Sequence, residues 1–357
     1  MSSAFKRRGF RPARILTGTG RIFAIVSFVT MIGGLCASAQ ESVEDFYKGR
    51  QLTMIVGNSP GGGYDAAARL VSRHMGNYIP GKPSFIVRNM PGAGGITAAN
   101  YMYSVATKDG AIISIFPRNL ITLPIIEKQK FESDKFAWIG SMADDVSTCV
   151  VSKASGIDGW AVLKEREFVA AVQGPGSDSF VFSGLLRDIA KLKIRLISGY
   201  PGSNDMMLAI ERAEVNGMCG SSYSTLKSSK SAQLASGDLK VIVQIGPQKH
   251  AELPTTPSLV DIVEGELSKH VVKLLSDTQA AARPFIGPPD MPVDRRDALR
   301  QAFLQTMVDA SFKKEAALSS LDINPMSGQQ IEALISSFHA FSPQVIELAR
   351  KVLDAKQ

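Results

Sequence analysis

Leu52-Thr53-Met54-Ile55-Val56-Gly57-Asn58-Ser59-Pro60-Gly61-Gly62-Gly63-Tyr64-Asp65-Ala66 carries the pattern by which the rest of the chain is read. Its first five residues are apolar or β-branched, which predicts a short strand. Pro60 to Gly63 break that run, and Ala68, Val71, Met75 and Ile79 then recur at intervals of three and four, one face of a helix. The unit repeats. Phe85-Ile86-Val87 leads through Pro91-Gly92-Ala93-Gly94-Gly95 to a helix near 98–102, and Ile112 to Phe116 is a third strand. Phe168 to Val172 passes through Gly174-Pro175-Gly176-Ser177 to a helix near 180–190, and Ile194 to Ile197 through Gly199-Tyr200-Pro201-Gly202-Ser203 to one near 206–213. This alternation predicts an α/β fold with mainly parallel sheets.

A further strand-like run, Val241 to Ile245, precedes a helical tail over 294–309, 312–320, 328–340 and 344–354. A chain that leaves one lobe near 148 and returns near 247 has two crossover strands, the hinge of a clamshell. The expected lobes are 40–147 with 248–357, and 148–247.

The N-terminus sets the compartment. Lys6, Arg7, Arg8, Arg11, Arg14 and Arg21 precede an apolar stretch from Ile22 to Leu35, then Ala37-Ser38-Ala39. These are the three zones of an export signal, with cleavage expected after Ala39 and residues 1–39 removed. The stretch is shorter than the roughly 20 residues that span a bilayer. Leu35 before Cys36 disfavours lipid attachment, and Arg7-Arg8 lies farther from the apolar stretch than twin-arginine export favours. The whole chain carries +7, but all six of those basic residues leave with the signal, so the mature chain holds 34 basic against 33 acidic residues. That near-neutral balance does not support a basic nucleic-acid surface. The mature protein is expected to be soluble, periplasmic and monomeric. Only Cys149 and Cys219 remain in it, and they read equally as one disulfide or as two small buried residues.

Four strand-to-helix junctions share one chemistry: Pro60 to Asp65, Pro91 to Gly95, Gly174 to Ser179 and Gly199 to Asp205. In a parallel sheet such junctions lie at the carboxyl ends of the strands, where ligands bind. Glycines let backbone N–H groups approach a ligand, and each following helix offers unpaired donors and partial positive charge. Together they suit an anion. Asp65 reads as a cap for a helix beginning at Ala66, with Ser179 and Ser203 or Asn204 in similar roles. Arg118 is the candidate cation for a ligand carboxylate. Gly76 to Lys82 spells a phosphate-loop pattern, but Pro83 stands where Ser or Thr is required and a helix precedes it. The sequence contains no H-E-x-x-H, C-x-x-C, G-x-S-x-G or G-x-G-x-x-G, so no catalytic residue, metal or cofactor is assigned.

Pro60-Gly61-Gly62-Gly63-Tyr64-Asp65-Ala66-Ala67-Ala68-Arg69 and Asn89-Met90-Pro91-Gly92-Ala93-Gly94-Gly95 closely resemble the receptors of tripartite tricarboxylate transporters, the Bug-type periplasmic binding proteins. The likeness continues through Gly174-Pro175-Gly176, Gly199 to Asp205 and Pro284-Phe285-Ile286-Gly287-Pro288-Pro289. It implies a type II periplasmic-binding-protein clamshell that holds a small carboxylate between its lobes and delivers it to a membrane permease. It places Gly61, Gly62, Gly63, Tyr64, Asp65, Pro91, Gly92, Ala93, Gly94 and Gly95 on one side of the cleft. Ser177, Asp178, Ser179, Pro201, Gly202, Ser203, Asn204 and Asp205 fall on the other. Tyr64 stands where members vary, so it is expected to tune specificity. The resemblance also implies a Cys149–Cys219 disulfide near the strands linking the lobes. Alternatives from other classes are a receptor serving a sensor kinase and an exported enzyme using the same cleft.

Overall fold

Leu52, Met54 and Val56 of strand β1 (Gln51–Val56) are fully buried in one cluster with Leu70 and Val71 of the helix that follows, while Ile55 is buried on the other face. The computed structural model describes residues 41–354. The export signal read at 1–39 lies outside the described residues. β1 pairs in parallel with β2 (Ser84–Asn89) and β3 (Ile112–Ile115). β4 (Ala137–Ser141) and β5 (Ser147–Ser152) are joined by a short link that carries the chain from one sheet to the other. β6 (Phe168–Ala171), β7 (Ile194–Ile197), β8 (Gly217–Ser222) and β9 (Leu239–Ile245) complete the second sheet. β10 (Pro284–Gly287) and β11 (Met326–Ser327) belong to the first. The orders are β11-β4-β10-β3-β1-β2 and β7-β6-β8-β5-β9.

Both sheets are mixed, which qualifies the expectation of mainly parallel pairing. The strands that feed the glycine loops, β1, β2, β6 and β7, pair in parallel as read. Every antiparallel pairing involves β4, β5, β10 or β11. β4, β5 and β10 are buried along their whole length, so they lack the alternation by which strands are found.

The core runs through both halves of the molecule. One buried cluster joins Ile55 and Phe116 of the first sheet's side to Phe168 and Phe182 of the second. The C-terminal helix Pro343–Leu353 packs on the helix Asp178–Asp188 so closely that a Cβ at Gly184 would lie 2.7 Å from the Val352 carbonyl oxygen. Contacts of this tail therefore reach across the boundary drawn at residue 248. Cys149 and Cys219 are bonded across neighbouring strands β5 and β8, with an S–S distance of 2.06 Å. Among the described residues no helix is long and apolar enough to cross a membrane.

Candidate functional site

The loop after β1 is held by Asp65. Its carboxylate accepts from the Gly61 N–H at 2.8 Å, Arg69 Nε at 2.8 Å and Asn89 Nδ2 at 2.9 Å. Asp65 does not cap a helix starting at Ala66: the helix is Gly63–His74, its N-cap is Gly62, and Asp65 sits in the first turn. Burial alone would push this carboxyl up, but Arg69, the Gly61 N–H and Asn89 outweigh it and hold the group below its usual range. An aspartate depressed in this way stabilises the folded state above the unfolded value of about 3.9, and that contribution fades as pH falls through the folded value. The stability difference between the native protein and Asp65→Asn is therefore expected to be about 2 kcal/mol, constant from neutral pH to about 4, and to shrink below it. Urea unfolding of both proteins at neutral and acid pH measures this; a difference that does not vary with pH contradicts the assignment.

Glycines in the second and third loops serve a different purpose from the expected approach to ligand. A Cβ on Gly94, whose φ is +66°, would stand 2.5 Å from the Ser177 nitrogen and 2.8 Å from the Gly174 oxygen. The loop after β2 and the loop after β6 thus pack backbone against backbone. Between the first and fourth loops the contact is equally close: a Cβ on Gly61 would meet Asn204 Nδ2 at 2.7 Å. Ser59 Oγ also donates to Asp205 Oδ2 at 3.2 Å. Ser177, not Ser179, caps the helix Asp178–Asp188, accepting from the Phe180 N–H. Ser179 Oγ instead accepts from the Gln173 N–H, and the helix Ser203–Glu211 is capped by Gly202 without a side-chain bond.

These contacts enclose an inner cavity of about 50 Å³ between the two sheets. Of the predicted residues, Gly62, Gly63, Tyr64, Asp178, Ser179 and Ser203 line it. Pro91, Gly92, Ala93, Gly94 and Pro201 line a separate outer cavity of about 190 Å³. Gly61, Asp65, Gly95, Arg118, Ser177, Gly202, Asn204 and Asp205 line neither, and hold loops in place or contact neighbouring segments. The first turns of three helices, Gly63–His74, Asp178–Asp188 and Ser203–Glu211, contribute to the inner cavity wall.

Sequence reasoning missed the cation of this cavity. Arg283, just before β10, is 3% exposed and lines the wall. Its Nη2 donates to Ser222 Oγ at 2.7 Å and Thr225 Oγ1 at 3.0 Å, with the Asp145 carboxylate 3.5 Å away. Its guanidinium lies 5.0 Å from the centre of the Tyr64 ring. No glycine loop marks Arg283, Ser222 or Thr225; the one local signal is a charge set between Ala280-Ala281-Ala282 and Pro284-Phe285-Ile286.

Arg118, read as the ligand's cation, lines neither cavity and is paired within the protein through Nη2, while its Nε and Nη1 are buried without a hydrogen-bond partner. Fully buried, it places Nη2 2.8 Å from Asp178 Oδ2 and 2.7 Å from Ser147 Oγ. Asn119 Nδ2 donates to the other oxygen of Asp178 at 2.6 Å. Burial pushes the Asp178 carboxyl up, against the pull of Arg118 and Arg283. Tyr64, whose hydroxyl accepts from the Arg118 N–H at 3.0 Å, has its pKa pushed up to about 12, chiefly by burial and next by Asp178. Arg118, Arg283, Asp145 and Asp178 sum to zero charge. A bound anion would therefore be favoured by helix-start N–H groups and by Arg283, not by net positive charge. Among the described residues no cluster of three or more His, Cys, Asp or Glu is placed to hold a metal.

The chain matches no protein-family profile and no curated protein sequence. Solved structures do resemble it. The periplasmic binding protein BugD is 20% identical over 86% of this chain and 98% of its own, with a TM-score of 0.66. MatC from Rhodopseudomonas palustris with bound malate is 16% identical over 85% and 99%, with a TM-score of 0.65. A second R. palustris protein, Rpa4515 with adipate, is 18% identical over 84% and 97%, also at 0.65. The shared fold is that of the two-lobed periplasmic binding proteins.

Proposed function

We propose that this chain is a periplasmic receptor that captures a small carboxylate in the inner cavity and hands it to a tripartite tricarboxylate-type permease, without chemical turnover. One observation carries the reading: helix starts from both sheets meet at a single buried cavity beside Arg283. Helix-start N–H groups and a buried guanidinium are the partners a carboxylate needs once it leaves water. The sequence resemblance to Bug-type receptors and the malate and adipate bound by two structural neighbours point the same way.

In this proposal 40–147 with 248–357 and 148–247 move as lobes, and the ligand favours the closed arrangement because its partners are divided between them. Export by residues 1–39 places the protein in the periplasm. Calorimetry with a panel of carboxylates, on periplasmic protein whose intact mass begins at Gln40, tests the reading. Arg283→Ala is expected to weaken the best ligand about ten- to a hundredfold, the worth of one charge-assisted hydrogen bond. Arg283→Lys, which keeps the charge and loses the fork, should fall between. A panel with no binder, or an Arg283→Ala variant of native affinity and native circular dichroism, would refute the site.

A further inference from the structure

β2 ends the first sheet, and among the described residues it pairs with β1 and no other strand. The Ser84 and Met90 N–H groups donate to the Arg50 and Val56 oxygens on the β1 side, so the N–H and C=O of Phe85 and Val87 point away from the sheet. That edge is open. Beside it runs a groove of about 650 Å³, walled by residues 84–87 of the strand and by Arg69, Ser72, Arg73 and Gly76 from the helix Gly63–His74 and the turn after it. Strand and helix touch at both ends of the groove. Arg69 Nη2 donates to Asn89 Oδ1 at 3.1 Å at one end, and at the other a Cβ on Gly76 would collide with the Pro83 oxygen.

The charge of the groove is one-sided: Arg69, Arg73 and Lys82 line it, and no Asp or Glu does. Arg69 pairs with Asp65 and Arg73 with Glu315, while Lys82 forms no ion pair among the described residues. Ser72 follows Arg69 by three positions on the same helix face, and its hydroxyl oxygen is buried without a hydrogen-bond partner. On the alternate side of the strand Ile86 is 36% exposed, with the exposed Arg88 two residues on. Like charges on an open edge discourage self-pairing, so a second copy of β2 would set Lys82 and Arg88 against one another. An acidic strand would be drawn in.

We propose that the β2 edge docks an extended acidic segment of a partner protein, which joins the first sheet as an added strand. Backbone groups of Phe85 and Val87 supply the pairing. Acidic side chains on alternate residues of the segment then face Arg69, Ser72 and Arg73, and the residues between them lie beside Ile86. The groove shares no lining residue with either cavity between the sheets, so this surface stands apart from the carboxylate site.

The probe is a fluorescein-labelled hexapeptide alternating glutamate and valine, matched to the six residues of β2 and followed by anisotropy with the chain from Gln40 onward. It should bind about tenfold more tightly than a lysine–valine hexapeptide or than the same glutamate peptide with an N-methylated backbone, and should weaken as salt rises. Hydrogen exchange at the Phe85 and Val87 amides should slow when it binds. Val87→Pro removes an outward donor and no bond to β1, so it should cost about tenfold in peptide affinity while thermal melting stays near native. Arg73→Gln with Lys82→Gln should weaken the peptide severalfold. If Val87→Pro does not fold, the N-methylated peptide and the exchange measurement decide. Absent binding at millimolar peptide, equal affinity for the three peptides, or unchanged exchange at Phe85 and Val87 overturns the proposal. Binding to phosphatidylglycerol vesicles without binding to the peptide, or self-association that the glutamate peptide does not displace, overturns it in favour of a lipid surface or a second copy.

Discussion

Arg118→Met is expected to lower the stability of the fold by about 3–5 kcal/mol at neutral pH, the cost of leaving a buried carboxylate without its partner. The side chains of Arg118 and Asp178 are 1% and 8% exposed, and they tie the segment after β3 to the first turn of the helix Asp178–Asp188. Replacing both partners by apolar residues of similar size should recover most of the loss, because the penalty comes from the orphaned charge. The deficit has a pH signature. Burial already pushes the Asp178 carboxyl up, and removing Arg118 takes away the strongest pull against that rise. A raised carboxyl group disfavours folding only once pH exceeds its unfolded value of about 3.9, so the Arg118→Met deficit should grow from acid to neutral pH. Urea unfolding of the single and double variants at acid and neutral pH measures both effects. A loss under 1 kcal/mol, or a double variant no more stable than the single one, would show that this pair does not join the two halves as described.

Opening the Cys149–Cys219 bond should cost about 4 kcal/mol, because its 70-residue separation makes the closed loop a large restriction on the unfolded chain. The comparison that isolates the cross-link is oxidised against reduced native protein, since both sulfur atoms then stay in place. Both cysteines are fully buried, so Cys149→Ala with Cys219→Ala adds a packing loss to the lost constraint. The double alanine variant should therefore be less stable than the reduced protein. Equal unfolding midpoints for oxidised and reduced protein would refute the entropic account.

Much of the candidate site was legible because its signals are local. A glycine-rich break between a β-rich run and a helical period can be read from a dozen residues, and the loops it marks contain Gly62, Gly63, Tyr64, Asp178, Ser179 and Ser203, which line the inner cavity. Reading the glycines themselves was less secure. Gly94 and Gly174 lack side chains because two chain segments touch there, which no local pattern distinguishes from a backbone approaching a ligand.

The sequence by itself determined the repeated strand-loop-helix unit, the export signal as an expectation, the alternating α/β class and the helical tail. It did so because periodicity and turn residues act over a few neighbours. Tertiary structure decided the rest. β4, β5 and β10 are buried along their whole length and show no period, yet each antiparallel pairing involves one of them, and Arg283 immediately precedes β10. Arg118 reads locally as a loop cation, and only folding sets Asp178, 60 residues away in the chain, 2.8 Å from it. Whether a buried charge is free or paired depends on which distant carboxylate shares its low-dielectric surroundings, and that is a property of packing that no local pattern carries.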